Sequence, residues 1–269
     1  MKHAFIGIDL AWSPRHGSGL AVLRPGRAGL SVAALETRVE VGEIVAFVRE
    51  HALASTVVMV DAPLVVPNRT GMRDCDRETH RRFGARQAGA YPVNRVLLAR
   101  YNRGRPRGEE LAEALVSCGF EAEPDALPAP PLHKGRWLFE CYPHPAQVVL
   151  FRLARTLKYK RKRQGRARAS AEFRRFLGLV GGLRGPAIAL TPGVLRTVDA
   201  TRAVGREYKR REDMLDALFC AYLAALVPAG RLEMLGTPRT GSIVVPRQRR
   251  LGPGDRPPPR APAVPSVGR

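Results

Sequence analysis

Acidic residues are in short supply in this chain. Its 269 residues include 24 Asp and Glu against 45 Lys and Arg, a formal net charge of +21 at pH 7. A surplus of that size steers a protein toward polyanions, nucleic acid first among them. Codon preference for arginine accounts for part of the surplus but not for the shortage of acids. Cysteine is also sparse: Cys75, Cys118, Cys141 and Cys220 are scattered, with no CxxC pair. That argues against a zinc or disulfide framework and for reduced core thiols in a cytoplasmic protein. No apolar run approaches the ~20 residues of a membrane helix, and the start lacks the charged-then-apolar pattern of a signal peptide. No membrane partner is therefore expected. The glycines form no phosphate-binding Walker pattern, and neither a GxSxG elbow nor a Cys–His nucleophile stands out.

What is present is an alternation of strand and helix signals. Residues 4–10, 19–23 and 30–39 read as strands, the first two separated by the turn-rich SPRHGS. VGEIVAFVREHAL then carries apolar residues at helical spacing, and TVVMVDAP is a β-branched run suited to a strand buried on both faces. Residues 64–134 are richer in Arg, Gly and Pro, with helical pieces near 73–83, 93–99 and 109–118. They read as a large insertion over one end of the sheet. Strand character returns at WLFECYP, followed by a helical run over 146–157, shorter helical stretches around 173–179 and 192–198, and a long helix in REYKRREDMLDALFCAYLAALV. SIVVP reads as a short strand. The segment 247–269, rich in Pro and Arg, has the composition of a disordered tail.

Within this pattern, carboxylates stand where a core pattern would not put them. Asp9 ends AFIGID, Asp61 follows TVVMV, Glu140 follows WLF, and Asp213 and Asp216 are three apart on one helix face. Each strand acid falls near the C-terminal end of its run, where open sheets gather functional groups. A single acid of this kind can be a turn or an ion pair. Asp61 before Ala-Pro can be a strand-end hydrogen bond, Glu140 can pair with a neighbouring Arg, and Asp213 and Asp216 can be solvated helix charges. Asp9 inside a buried strand is the hardest to explain that way, because a desolvated carboxylate needs compensation. Several carboxylates brought together repel one another, and divalent ions cancel the repulsion. Mg²⁺ or Mn²⁺ held by acids, water and phosphate supports phosphodiester cleavage.

The order β-β-β-α-β, another strand and a late acidic helix resembles the RNase H-like fold, with acid placement similar to RuvC-type resolvases. GIDLAW, VDAPLVVPN, GMRDCDRETHRRFG, ECYPHPAQVVLF and DMLDALFCAYLA resemble the domain-of-unknown-function family 429, described as predicted nucleases. The resemblance implies an α/β fold with a mixed five-stranded sheet flanked by helices, in one domain over 1–246 with a mostly helical insertion at about 64–135. It implies a metal-dependent nuclease in which Asp9, Asp61, Glu140, Asp213 and Asp216 are catalytic and hold Mg²⁺ or Mn²⁺. Glu140 has no obligatory counterpart in the resolvase pattern.

Basic residues supply the expected nucleic-acid contacts, to DNA or RNA through the backbone. Arg73 and Arg77 lie in the insertion just after Asp61, where arginine forks suit phosphate. Lys158, Lys160 and Arg161 belong to LKYKRKRQGRARA, the most basic stretch, which suits sequence-independent phosphate contact. His133 and His144 flank Glu140 and could orient a water. Two alternatives remain open: a nucleic-acid-binding protein that no longer cleaves, and a phosphotransferase or small-phosphoester hydrolase on the same fold.

Overall fold

The computed structural model describes residues 2–160 and 165–248. Arg161 and the 249–269 part of the tail lie outside the described residues, so the readings made of them have no structural counterpart here.

Seven strands form one mixed sheet, in the order β5-β6-β4-β1-β2-β3-β7. β1 (His3–Asp9), β2 (Ser18–Gly26) and β3 (Gly29–Arg38) form an antiparallel meander. β4 (Ser55–Val60) and β6 (Gly135–Glu140) run parallel to β1. These five strands are the expected body of the sheet, in an arrangement consistent with an RNase H-like fold. Two-residue strands, β5 (Glu121–Ala122) and β7 (Ile188–Ala189), extend its edges. A separate hairpin pairs β8 (Leu232–Thr237) with the expected β9 (Gly241–Pro246).

Strand alternation sorts the core into two layers. Phe5, Val57, Met59 and Phe139 pack with the long helix α8 (Gly205–Ala225) on one face. Ile6, Ile8, Val58, Val60 and Leu138 pack on the other with α1 (Val41–His51) and α4 (Arg107–Val116). This two-sided burial explains why TVVMV is apolar throughout. The insertion contributes α2 (Asp74–Phe83), α3 (Arg95–Ala99) and α4.

α8 lies directly on strand backbone. A Cβ at Gly7 would fall on the Ala217 carbonyl oxygen and the Ala221 nitrogen, and one at Gly19 on the Asp213 carbonyl. Those two glycines therefore set how closely the acidic helix approaches β1 and β2. After β6, α5 (Pro143–Leu150) is shorter than the helix expected over 146–157. Arg152 takes a left-handed φ of 52°, which ends the turn and sends Leu157 and Tyr159 back into the core. α6 (Arg166–Gly181) and α7 (Pro192–Val198) complete that layer.

Candidate functional site

Asp9 and Asp61 meet at the C-terminal end of β1 and β4. Ile8 pairs with Val60 in the parallel register, and the Asp61 amide donates to the Ile8 carbonyl at 2.8 Å. Both acids continue the odd-numbered face of their strands, the face that α8 covers. Asp213 reaches them from α8 because its backbone rests on Gly19, the cross-strand partner of Asp9. Asp9 and Asp213 share a side-chain hydrogen bond. Burial and the neighbouring Asp9 push the Asp213 carboxyl up to about 9, despite Lys209 beside it. Burial and Asp9 likewise hold Asp61 well above the usual carboxylate range.

Asp216 sits one helical turn deeper and is fully buried. Tyr159 Oη donates to its Oδ1 at 2.5 Å, and Lys160 Nζ lies 3.1 Å from its Oδ2. That second contact is an ion pair without hydrogen-bond geometry, so Oδ2 has no hydrogen-bond partner. Burial opposes the charge on Lys160, but Asp216, Tyr159, Asp9 and Glu212 outweigh it and keep the ammonium protonated. Lys209 closes the outer side, contacting Asp213 and lying 3.3 Å from Glu212 Oε1. The cluster thus holds five carboxylates (Asp9, Asp61, Glu212, Asp213 and Asp216) against two ammonium groups.

Glu140 is hydrogen-bonded outside this cluster. It falls on even parity, level with Val60, while Cys141 stands level with Asp61. Arg73 grips it with a fork, Nη1 to Oε2 at 2.7 Å and Nη2 to Oε1 at 2.6 Å, and the Leu64 amide donates to Oε2 at 3.1 Å. Arg73 also donates to both Asp76 oxygens and to the Val65 carbonyl. All five of its N–H donors are spent inside the protein. Arg73 is a buried brace tying the insertion to β6, and no donor remains for a substrate phosphate. Glu140, expected as a ligand, and Arg73, expected as a phosphate contact, are placed by the structure against each other in this one pairing, both in the lining of the cavity that Asp9 and Asp61 share.

The other basic candidates divide. Arg77 is exposed on α2, paired with Asp74 and donating to the Met72 carbonyl at 2.6 Å. Lys158 and Lys160 line a cavity of about 420 Å³ together with Asp9, Asp61, Trp12, Tyr91, Tyr142 and His144. Arg107, unremarked in the sequence, fixes the loop carrying Trp12: it donates to the Ala11 carbonyl at 2.7 Å and also reaches the Val39 carbonyl. Tyr159, Lys209 and Glu212 were also missed. The i,i+3 and i,i+4 spacing of Lys209 to Glu212 and Asp213 could have signalled two of them. Nothing local marks Tyr159 as buried.

An α/β protein with a mixed sheet, its strand-end acids crowded beside a single late helix, is the class these features define. The chain belongs to the family described as Protein of unknown function (DUF429), which it matches over residues 7–240. No curated protein and no solved structure matches it.

Proposed function

We propose that this chain is a divalent-cation-dependent phosphodiester hydrolase acting on nucleic acid. The observation that carries the reading is the crowding of Asp213 against Asp9, and of Asp9 against Asp61, beside a cavity that Asp9 and Asp61 line, in a strongly basic protein. Two of those carboxyls are held up by burial and by Asp9, a charge conflict that a hard cation relieves. Among the described residues no three His, Cys, Asp or Glu form a ready-made metal cage. An ion here would therefore be held by one or two carboxylates, with water and substrate phosphate completing its shell.

Asp9, with Asp61 or Asp213, would hold Mg²⁺ or Mn²⁺, water and phosphate completing the shell. When bound, such an ion polarises a phosphoryl oxygen and acidifies a bound water. The chain's own residues prepare the rest. Lys160, anchored on Asp216, presents a fixed positive charge to the cavity, and Lys158 offers a second. Glu140 holds Arg73 and through it the wall of the insertion.

A second reading, a nucleic-acid-binding protein that does not cleave, is favoured by one feature: Lys160 and Lys209 already balance part of the acid charge. The two are separated by cleavage of labelled DNA and RNA with Mg²⁺, Mn²⁺ or EDTA, comparing wild type with Asp9→Asn. Metal-dependent cutting that falls at least about 100-fold in Asp9→Asn supports the hydrolase. Salt-sensitive binding without cutting, unchanged by the substitution, supports the second reading.

A further inference from the structure

The cavity beside the acids is bounded, and its walls are mostly apolar or aromatic. Its volume of about 420 Å³ lies in the range of about 300–1,000 Å³ typical of small-molecule sites. An intact duplex, a convex rod, has no way to place its backbone inside such a space. One unpaired nucleotide does.

The walls suit a base. Tyr142 and His144 stack with ring centroids 5.2 Å apart and an interplanar angle of 19°, forming an aromatic platform at the start of α5. Trp12 also lines the cavity, its loop pinned by Arg107 and its ring edge-on to Tyr101 at 5.6 Å. Tyr91 lines the cavity from the insertion. His144 Nδ1 is shielded from solvent and has no hydrogen-bond partner. On a residue that lines the cavity, an orphaned buried nitrogen becomes a polar handle for a ligand when the ring turns. Burial and the nearby Lys160 drop the His144 pKa to about 4, so the ring is neutral and can offer a donor or an acceptor.

We propose that this cavity binds a single unpaired nucleotide, its base against the Tyr142–His144 platform and its phosphate toward Lys160 and the Asp9 cluster. The inference rests on the hydrolase reading and narrows its substrate to strand ends or single-stranded segments, from which a base can be turned out of the stack. Tyr142 supplies the stacking face. His144 Nδ1 supplies the polar contact.

The test is a binding titration of the full chain followed by tryptophan fluorescence, with adenosine monophosphate and ribose phosphate as probes, in Ca²⁺ and in EDTA. A base-binding cavity takes adenosine monophosphate about tenfold or more tighter than ribose phosphate. Tyr142→Ala lowers the first affinity about tenfold and leaves the second unchanged, and Trp12→Phe removes the signal. His144→Phe keeps the ring, loses the handle and weakens only adenosine monophosphate, which gives a second variant should Tyr142→Ala fail to fold. Equal binding of the two probes overturns the proposal, as does tighter binding of a duplex than of the same sequence single-stranded. A chain that binds adenosine monophosphate but never cuts refutes the hydrolase and leaves the cavity assignment standing. A chain that cuts duplex but ignores the base does the reverse.

Discussion

Replacing Arg73 by Met keeps most of the side-chain volume and removes five hydrogen bonds at once. Two go to Glu140, two to Asp76 and one to the Val65 carbonyl. Arg73, Asp76 and Glu140 are all buried, so solvent cannot take over. Removing one partner of a buried ion pair typically costs about 3–5 kcal/mol, because the remaining charge has no compensation. Here two carboxylates are stranded. Glu140, which burial already pushes above its ordinary value, can escape by taking a proton, so the cost stays near that range. For a chain of this size about 2–4 °C of Tm accompanies each kcal/mol, which predicts a fall of roughly 6–20 °C. Urea and thermal denaturation measure it. A triple variant, Arg73→Met with Glu140→Gln and Asp76→Asn, removes the stranded charges and recovers part of the loss, a non-additivity expected of groups in contact. A loss below about 1 kcal/mol in Arg73→Met, or weaker nucleic-acid binding with unchanged stability, refutes the brace.

Gly7→Ala drives a methyl group into the backbone of α8 and should cost about 1–3 kcal/mol or more as overpacking, seen as a lower urea midpoint with α8 contacts loosened. Glu123 accepts from the Glu140 amide at 2.6 Å and bonds Ser242, and burial lifts its carboxyl to about 8. The folded state therefore keeps a proton that the unfolded chain releases near pH 4, and the associated stability is lost as pH rises toward and through 8. Glu123→Gln should flatten that decline, as denaturation at pH 5 and pH 8.5 would show. Lys209→Met leaves Asp213 facing Asp9 without its neighbour, so added Mn²⁺ should raise Tm more in the variant than in wild type; an equal shift would mean that Asp213 takes no part in holding the ion.

Much of the sheet could be read from residue order, because β-branched runs and period-two alternation are local signals. β5 and β7 escaped because two residues carry no period, and LEMLGT lacks the β-branched density of a strand. Four acids were located at the correct end of the sheet or on the correct helix, but Glu140 shows where counting helps. Phe139, one residue earlier, packs on the α8 side, so Glu140 stands on the opposite strand parity to Asp9 and Asp61 and meets Arg73 instead. Its partner Arg73 lies 67 residues upstream, and no spacing rule links the two. The basic run misled in a different way. Charge along a sequence reads as surface, yet Tyr159 is buried and Lys160 is drawn toward Asp216 on α8, a helix that begins 45 residues later in the chain.

The contact of α8 on Gly7 and Gly19 has a mechanical consequence. Main chain touches main chain there, so the gap between Asp9 and Asp213 is a constant of the architecture rather than a variable of side-chain packing. The acids cannot retreat from one another when their charge rises. Only protons or cations can come and go. The facing wall, with Tyr91, Tyr142 and His144, rests on side chains that can turn. Accommodation to ligands of different size therefore belongs to that wall, and the acidic edge serves as the fixed jaw against which each is measured.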